Sequence, residues 1–583
     1  MGIRSRFLDG NRVNAFYYVK KLTDFPAFSY PTSVIFTKIT IREAIPGPVH
    51  SPLRRHFTWA AWPVSSFTFL IFIAWVPLLI VEDRVGSWKR LLAFCYLHML
   101  VWNVATTWWV WNASAVGAMG AFLANSLIMC VPWLLFYFTK KKFGRWIGYG
   151  SLIIYWLSFE YIHHNWELSW PWLTLGNAFA TQTGWVQWYE YTGSSGGSLW
   201  VWLANIVAFF IFCEYQRQGR TRSYFAGLGV WIAIIAFPII ASRLISTGER
   251  KQVAASMTST TKNVVVVQPN VDPYTEKFTG SIESQIQKLV VLSEKLMDDN
   301  TSLVVWPETA IPAQVWEHQI KENFFYYPVW SFLNRHPFTT LLTGIDSYKN
   351  YGTNKNDAPS TSRFDEESGT YYDAFNTAAF FEADTSIQLY HKAKLVPGVE
   401  TLPSFLNFMG KWFESFGGIS GTLGRDSERK VFAGWDNYYK SAPIICYESI
   451  YSDYITEYVR KGANILTIIT NDGWWGNTPG YKQHMNYGRL RAIETRKWVA
   501  RSANTGISCF IDPLGNVINP QPWDIASSIK LSIPIDNRQT FFVKYGDMLS
   551  RSAIAVCILL LVLLITAIIL NRFFHKTIPY LQK

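Results

Sequence analysis

The sequence predicts a two-part protein: a polytopic α-helical membrane domain and an extracytoplasmic α/β domain. Residues 61–245 and 552–571 are apolar with charge confined to short breaks, whereas residues 260–545 have the composition of a water-soluble domain. Short apolar strands alternate with helical stretches in the second region, which is the pattern of an α/β fold. Lysine and arginine occupy alternate loops of the apolar region, and this asymmetry places the α/β domain outside the cytoplasm.

The membrane prediction depends on apolar runs of about 20 residues, the length that a spanning helix needs. Seven stretches qualify: 64–81, 91–111, 116–138, 146–164, 197–213, 223–241 and 553–570. The last cannot be a signal peptide, because it lies near the C-terminus. Residues 552–571 are therefore predicted to form a C-terminal membrane helix, distinct from the helical domain at 61–245.

The loop charges set the orientation. The loops after the first, third and fifth spans and the tail after the seventh are basic, whereas residues 146–216 contain no lysine or arginine. Basic loops stay in the cytoplasm, so the net charge of +12 reports topology rather than nucleic-acid binding. Residues 1–60 conflict with this order, because they would be external yet carry nine lysines and arginines. Either a non-standard first span lies near 26–36 or 57–63, or this N-terminal segment is atypical.

The six cysteines do not form a disulfide framework. Cys95, Cys130, Cys213 and Cys557 fall inside predicted spans, where packing explains them. Cys509 lies in an apolar strand and is predicted to be core. A disulfide between Cys446 and Cys509 remains open at this point, but it would silence Cys446 as a nucleophile.

The α/β region is read from its apolar patterns. Strands are predicted at 263–271, 302–306, 339–345, 374–382, 386–391 and 442–446, helices at 282–297 and 482–498, and a β-hairpin at 505–518. Residues 463–476 are predicted to form a buried strand that runs into a Gly-rich turn. The second helix is predicted to be basic and amphipathic. The polar stretch 349–370 is predicted to be a mobile surface loop.

Three residues just after predicted strands form a complete set for acyl transfer through a thioester. Cys446 stands in SAPIICYES, Glu308 in VVWPETA and Lys392 in LYHKAKLVPG. A thiolate attacks, a carboxylate moves the proton, and an ammonium neutralises the oxyanion. Each also has an ordinary structural interpretation: a buried small hydrophobe, a carboxylate at a helix start and a solvated edge lysine.

Glu448, two residues after the cysteine, is a candidate for orienting the lysine or lying near the thiol, or a first-turn helix carboxylate. A helix beginning within 447–452 would lower the pKa of the Cys446 thiol.

These motifs, together with NDGWWG at 471–476, resemble those of the nitrilase (carbon–nitrogen hydrolase) superfamily, with its Glu-Lys-Cys triad and αββα sandwich. Several spans, a nitrilase-like external domain and one closing span resemble the apolipoprotein N-acyltransferase family. WPWLTLGNAFA (170–180), EYTGSSGGSLW (190–200), VVVVQPNVDPYTEKF (264–278) and the stretch 471–508 carry that resemblance. It extends from about residue 57 to the end of the chain.

The resemblance implies a bacterial inner-membrane enzyme with a periplasmic catalytic domain and no cofactor or metal. Cys446 would take an acyl chain from a phospholipid, typically phosphatidylethanolamine, and pass it to the α-amine of a diacylglyceryl apolipoprotein. Glu308 matches the general base and Lys392 the oxyanion-stabilising lysine. Glu400, Tyr447 and Glu448 match supporting positions, and Trp474 and Trp475 match the aromatic rim. The chain departs from many relatives in having Pro-Gly-Val-Glu at 397–400, where Pro-Phe-Gly-Glu is frequent.

Two alternatives to an acyltransferase stay open on the sequence alone. A membrane-anchored amidase would use the same triad with water as the acceptor, and a non-catalytic scaffold or transporter would use only the spans. Intramembrane charge pairs are scarce, which argues against an ion pathway. The aromatic segment 405–416 is predicted to be an interfacial lid that admits acyl chains, with ordinary core packing as its alternative.

Overall fold

The structure, a computed structural model, describes residues 57–577 apart from 278, 385 and 404–421. The predictions for residues 1–56 and for the aromatic segment 405–416 therefore lie outside the described residues. Side chains are described as far as residue 571.

Helices dominate the chain before residue 257 and return at its end. In chain order the membrane-side α-helices are α1 (Phe57–Ala60), α2 (Val76–Arg84), α3 (Trp88–Thr107), α4 (Ala115–Ile128), α5 (Val131–Phe143), α6 (Arg145–His163), α7 (Tyr189–Gln218) and α8 (Arg222–Ser256). Five segments are long and apolar enough to cross a membrane within the described part of the chain: Trp88–Asn112, Ala115–Phe143, Tyr189–Gln218, Arg222–Ser256 and Met548–Asn571.

The first predicted span, 64–81, is not one helix. It consists of a 3-10 turn at Thr68–Phe72 and the nine-residue α2, which is about 14 Å long and too short to span alone. Pro77 causes the break, because proline cannot continue a preceding helix. Asn205 of α7 satisfies the broken ends: its Oδ1 accepts from the Trp75 N–H at 2.8 Å, and its Nδ2 donates to the Ile71 carbonyl at 2.8 Å.

The α/β region begins at residue 261 and contains fourteen strands among the described residues. They are β1 (Thr261–Gln268), β2 (Thr301–Val305), β3 (Ile311–Trp316), β4 (Thr340–Gly352), β5 (Arg363–Asp365), β6 (Thr370–Phe381), β7 (Ile387–His391), β8 (Phe432–Ala433), β9 (Lys440–Ile445), β10 (Ile465–Thr470), β11 (Trp498–Ala503), β12 (Cys509–Ile511), β13 (Val517–Ile518) and β14 (Ser527–Pro534). The helices are α9 (Ile282–Glu294), α10 (Tyr327–Arg335), α11 (Ser452–Arg460), α12 (Pro479–Thr495), α13 (Phe541–Tyr545) and α14 (Met548–Thr577).

The strands form two sheets. The first has the order β14-β1-β2-β4-β6-β5, with β3 paired to β4 and β7 paired to β6. The second has the order β13-β12-β11-β10-β9-β8, in which β9, β10 and β11 are mutually parallel. The valines of β1 show how the first sheet is covered on both faces: Val264 and Val266 pack toward the second sheet, and Val265 and Val267 pack under α9 and α10. Helices α11 and α12 cover the far side of the second sheet, so the layers follow the αββα order.

Most predicted elements of the α/β region are present within a few residues of their predicted bounds. The 505–518 hairpin forms as β12 paired antiparallel with β13, and Cys509 is fully buried. Cys446 and Cys509 are both free thiols. The stretch 349–370 is mostly exposed and contains a 3-10 turn and β5; its mobility stays a prediction.

Helix α12 differs from its prediction as an amphipathic helix, because it is buried on nearly every face. The membrane-side helices cover the face that would otherwise be solvated. Its buried charges are paired internally, as in Arg491 Nε to Glu494 Oε2 at 2.8 Å. A basic residue count alone cannot distinguish a solvated face from a buried ion pair.

Candidate active site

The three predicted catalytic residues follow the carboxyl ends of β2, β7 and β9. Strand β2 is parallel to β4, and β6 is antiparallel to both β4 and β7. Strands β2 and β7 therefore point the same way, and Glu308 and Lys392 leave the same edge of the first sheet. Cys446 leaves the corresponding edge of the second sheet.

Gly344 in the middle of β4 makes room for the Glu308 loop. Its carbonyl accepts from the Ala310 N–H at 2.8 Å, and its own N–H donates to the Pro307 carbonyl at 3.0 Å. A Cβ at this glycine would lie 2.6 Å from the Glu308 Cα. Any larger residue would therefore displace the carboxylate, and the tight contact fixes where Glu308 enters the site.

Glu308 and Lys392 are in direct contact inside the domain. Lys392 Nζ lies 3.1 Å from Glu308 Oε1 and 2.8 Å from Glu400 Oε1. Asn376 Nδ2 donates to the same two oxygens at 2.8 and 3.0 Å, and the Asn471 N–H donates to Glu308 Oε2 at 2.9 Å. Lys392 is 1% exposed, so its interpretation as a solvated edge lysine is wrong.

The electrostatics of this cluster keep both partners charged. Burial opposes ionisation of Glu308, but Lys392 and the Asn376 hydrogen bond outweigh it and hold the pKa of the carboxyl below its usual range. Burial also opposes protonation of Lys392, but Glu308 and Glu400 outweigh it and hold the lysine pKa well above its usual range. The site therefore holds an ionised carboxylate beside a charged ammonium at neutral pH.

Cys446 occupies the left-handed backbone region, with φ of 49°, at the first residue of a five-residue 3-10 turn, Cys446–Ile450. Helix α11 begins at Ser452, within the predicted range, but the predicted lowering of the thiol pKa is wrong. Burial and the nearby Glu308 carboxylate raise the pKa of the Cys446 thiol well above its usual range, and Lys392 opposes them only in part. Cys446 is therefore a neutral thiol at rest.

Glu448 connects the 3-10 turn Cys446–Ile450 (the nucleophile turn) to the loop that begins at Lys392 (the lysine loop). Its fully buried carboxylate accepts from the Ile445 N–H at 2.9 Å and the Ala393 N–H at 2.8 Å. The hydroxyls of Tyr390 and Tyr454 donate to it at 2.6 and 2.8 Å. Because Ala393 directly follows Lys392, Glu448 sets the spacing between the lysine and the cysteine through the backbone.

Membrane-side residues supply part of the rim of the site. Trp475 packs against Trp109 and Trp172, with ring centroids 4.7 and 5.6 Å away. The Tyr447 hydroxyl donates to the Ser169 carbonyl at 2.8 Å. Trp474 lies at the edge of this group, where it packs against Tyr274 at 5.2 Å. The approach to Cys446 is therefore aromatic and is built from both halves of the chain.

Several buried polar residues at the site were not predicted from the sequence. Asn376 interrupts the apolar run FNTAAFF, which was the available signal for it. Asp472 and His484 form a further pair beneath the nucleophile turn, with Asp472 Oδ1 2.9 Å from His484 Nδ1. Arg501 NH2 lies 2.6 Å from the other oxygen of Asp472. Their spacing along the chain gives no sign that they meet.

A polar cavity of about 160 Å³ lies where α6, α11 and α14 meet. Its lining includes Lys394, Arg429 and Asp453 but none of Glu308, Lys392 and Cys446. Charged walls do not suit an acyl chain, so this cavity does not serve the predicted acyl transfer.

Comparison with known proteins gives concordant results for both halves. The family model described as "Apolipoprotein N-acyltransferase N-terminal domain" matches residues 56–207, and the carbon-nitrogen hydrolase model matches residues 263–537. The chain is 31% identical to the apolipoprotein N-acyltransferase of Chlorobaculum tepidum over 87% of this chain and 94% of that protein. It is 24% identical to the apolipoprotein N-acyltransferase of Thermotoga maritima over 82% of this chain and 86% of that protein.

Among solved structures, Saccharomyces cerevisiae Nit3 of the nitrilase superfamily is similar at 17% identity and a TM-score of 0.34, covering 47% of this chain and 91% of that one. The near full-length match to the Chlorobaculum protein, together with the two family models in the expected order, decides the family. The chain belongs to the apolipoprotein N-acyltransferase family.

Proposed function

We propose that the protein transfers an acyl chain from a phospholipid to Cys446 and from there to the α-amine of an S-diacylglyceryl-cysteine. Its family membership makes it a membrane acyltransferase of lipoprotein biosynthesis; the thioester route, the donor and the placement of the site are the proposal. The observation that carries it is the buried Glu308–Lys392 contact at one edge of the first sheet, with Cys446 at the corresponding edge of the second sheet.

In the first half-reaction, Cys446 Sγ attacks the acyl ester carbon while Glu308 takes the thiol proton. The neutral resting thiol and the low pKa of Glu308 fit this division of roles. Lys392 stabilises the oxyanion of the tetrahedral intermediate. The intermediate collapses to a thioester, and the lysophospholipid alkoxide leaves with the proton returned by Glu308.

In the second half-reaction, the α-amine of the lipoprotein attacks the thioester carbon and gives a proton to Glu308. Lys392 again stabilises the oxyanion, the amide forms, and the Cys446 thiolate leaves and is reprotonated. Glu400 and Asn376 support this cycle by holding Lys392 and Glu308 in one hydrogen-bonded cluster. Glu448 supports it by fixing the distance between the two loops.

The aromatic rim favours a lipid donor over a small soluble amide. Trp109 and Trp172 belong to the membrane-side half and contact Trp475 beside the nucleophile turn. Such rings suit the boundary between headgroups and acyl chains. A membrane-anchored amidase is the alternative, and it predicts hydrolysis of small amides without any acylated lipoprotein product.

The helix ends support an external, periplasmic catalytic domain. Asn112, after α3, donates to the Trp475 carbonyl at 2.8 Å, and Ser195, near the start of α7, donates to Asp547 at 2.8 Å. The basic residues lie at the opposite helix ends: 140–142 close α5, and Arg217 and Arg222 flank the α7–α8 loop. The positive-inside rule then places the far ends in the cytoplasm of a bacterial inner membrane and the catalytic domain outside it.

Intact-mass analysis after incubation with phosphatidylethanolamine tests the proposal. We expect one acyl adduct on Cys446, which disappears with formation of N-acylated product when a diacylglyceryl-cysteine peptide is added. An unmodified protein that hydrolyses small amides would instead favour the amidase.

A further inference from the structure

We propose that His484 is a positioning residue for acyl transfer, which anchors the Cys446 carbonyl and thereby directs the Tyr447 N–H at the oxyanion alongside Lys392. This inference rests on the proposed function and assigns a task to a residue that the triad mechanism leaves unused.

His484 lies directly beneath the nucleophile. Its Nε2 is 3.0 Å from the Cys446 carbonyl oxygen and 2.9 Å from Ser449 Oγ. Ser449 Oγ in turn donates to the same carbonyl at 2.7 Å. The histidine and serine side chains are buried to 1% exposure, so these contacts are not exchanged with water.

The other ring nitrogen is fixed by a buried ion pair. Asp472 Oδ1 lies 2.9 Å from His484 Nδ1, and Thr470 Oγ1 donates to the same oxygen at 2.9 Å. Arg501 NH2 pairs with Asp472 Oδ2 at 2.6 Å. Burial opposes ionisation of Asp472, but Arg501 and His484 outweigh it and hold its pKa below the usual range. An ionised carboxylate only accepts, so the proton on this bond belongs to Nδ1.

The available donors and acceptors around the Cys446 carbonyl decide the role of Nε2. A carbonyl oxygen only accepts, and the Ser449 hydroxyl has a single proton to give. Each of the two close contacts to the Cys446 carbonyl receives a proton only if the Ser449 hydroxyl donates one and His484 Nε2–H donates the other. Because Nδ1 also donates, to Asp472, these contacts require the imidazolium form of His484, whose charge is paired with the Asp472 carboxylate. The carbonyl is therefore held from two directions, one of them through a ring that Asp472 keeps in place.

This anchoring matters because the Cys446 backbone is strained. A non-glycine residue in the left-handed region is strained, and this backbone conformation persists only where the surrounding structure holds it in place. The carbonyl of Cys446 and the N–H of Tyr447 belong to one planar trans peptide, in which they point in opposite directions. Holding the carbonyl therefore fixes the direction of the N–H, and hydrogen bonds to the carbonyl also strengthen that N–H as a donor.

The Tyr447 N–H is suited to act on the oxyanion. It lies in the first turn of the Cys446–Ile450 3-10 helix, where N–H groups have no partner within the helix. The N–H of the residue after a nucleophile is a common oxyanion donor. His484 acts through this peptide and not on the sulfur, so its effect is confined to reactions that form an oxyanion.

A comparison of one reaction that forms an oxyanion with one that does not therefore tests the inference. Acylation of Cys446 by phosphatidylethanolamine passes through an oxyanion, whereas alkylation by iodoacetamide is a displacement that forms none. We expect His484→Leu in full-length detergent-solubilised protein to slow acyl-enzyme formation by about tenfold to a hundredfold, a smaller loss than complete removal of an oxyanion donor, with alkylation unchanged. His484→Gln should recover part of the rate, because its amide can donate to the carbonyl.

Equal slowing of both reactions would show a general structural role and overturn the inference, as would a normal acylation rate in His484→Leu. If His484→Leu does not fold, Ser449→Ala removes the other donor to the same carbonyl, and the same split between acylation and alkylation is expected; its absence overturns the inference. A wild-type protein that forms no acyl adduct would refute the proposed function itself, a result that these variants do not mimic.

Discussion

Replacing Lys392 with methionine tests the central contact of the proposed site. Methionine keeps most of the side-chain volume but removes the ammonium that lies 3.1 Å from Glu308 and 2.8 Å from Glu400. Losing one oxyanion-stabilising group raises the barrier by about 3–4 kcal/mol, which corresponds to a rate reduced by about 10²–10³. Acyl-enzyme formation, followed by intact mass, should fall by at least that factor.

The same change should alter stability in a pH-dependent way. Breaking a buried pair by removing one partner costs about 3–5 kcal/mol. Without the ammonium, Glu308 and Glu400 share the Asn376 amide and repel one another, so the pKa of one carboxyl rises above its unfolded value. A raised folded pKa contributes stability below the unfolded pKa, and that stability is lost as pH rises through the folded value. The variant should therefore be less destabilised in mild acid than in mild base.

Lys394→Met is the matched control. This lysine lies two positions further along and is half-buried, and its Nζ donates to the His164 carbonyl at 2.8 Å instead of to Glu308 and Glu400. It should keep near-normal acylation. Acylation at the wild-type rate in Lys392→Met would contradict the proposed role of Lys392. A fall in melting temperature that does not depend on pH would contradict the raised pKa expected in this variant.

The remaining predictions concern the nucleophile, the base, the topology and the aromatic segment. Cys446→Ala should insert normally yet form no acyl-enzyme, and Cys446→Ser should retain at most a trace; unchanged turnover in the alanine variant would eliminate the thioester route. Because the pKa of Glu308 lies below its usual range, the acylation rate should stay constant as pH falls to about 5 and decline only below it; a decline centred near neutrality would assign the base elsewhere. Single cysteines introduced into residues 260–545 should react with impermeant reagents from the periplasmic side, and a cytoplasmic pattern would contradict the proposed orientation. Replacing Trp412 and Phe413 with serine should slow turnover of long-chain phospholipid but spare alkylation of Cys446; parallel loss of both reactions and of thermal stability would show that the segment is core.

Local sequence patterns were enough to predict the strands that precede the three proposed catalytic residues. Glu308, Lys392 and Cys446 each follow a short apolar strand bounded by turn residues, and strand ends of this kind gather functional groups in α/β folds. The apolar length of 553–570 and the placement of basic loops likewise depend only on composition along the chain. These features are local, so a single sequence contains them.

Three predictions made from local sequence patterns were wrong, each for an identifiable physical reason. Helix α12 has a polar sequence, but its charges are paired and covered by the membrane-side half, a contact with residues hundreds of positions away. The predicted low pKa of the Cys446 thiol assumed a favourable helix start, whereas burial and Glu308 dominate. The apolar run 64–81 is long enough to span, yet Pro77 divides it and Asn205 stabilises the break.

The order of residues along the chain is enough to predict which residue types stand at the strand ends and which stretches are apolar enough for a membrane. Folding brings together residues that are far apart in the chain, and this part could not be predicted. Asn376 and Glu400 complete the Glu308–Lys392 cluster, Glu448 connects the lysine loop to the nucleophile turn, and His484 and Asp472 lie beneath Cys446. Strand propensity and hydropathy are properties of neighbouring residues, whereas hydrogen bonds and desolvation depend on groups that folding brings together from distant parts of the chain.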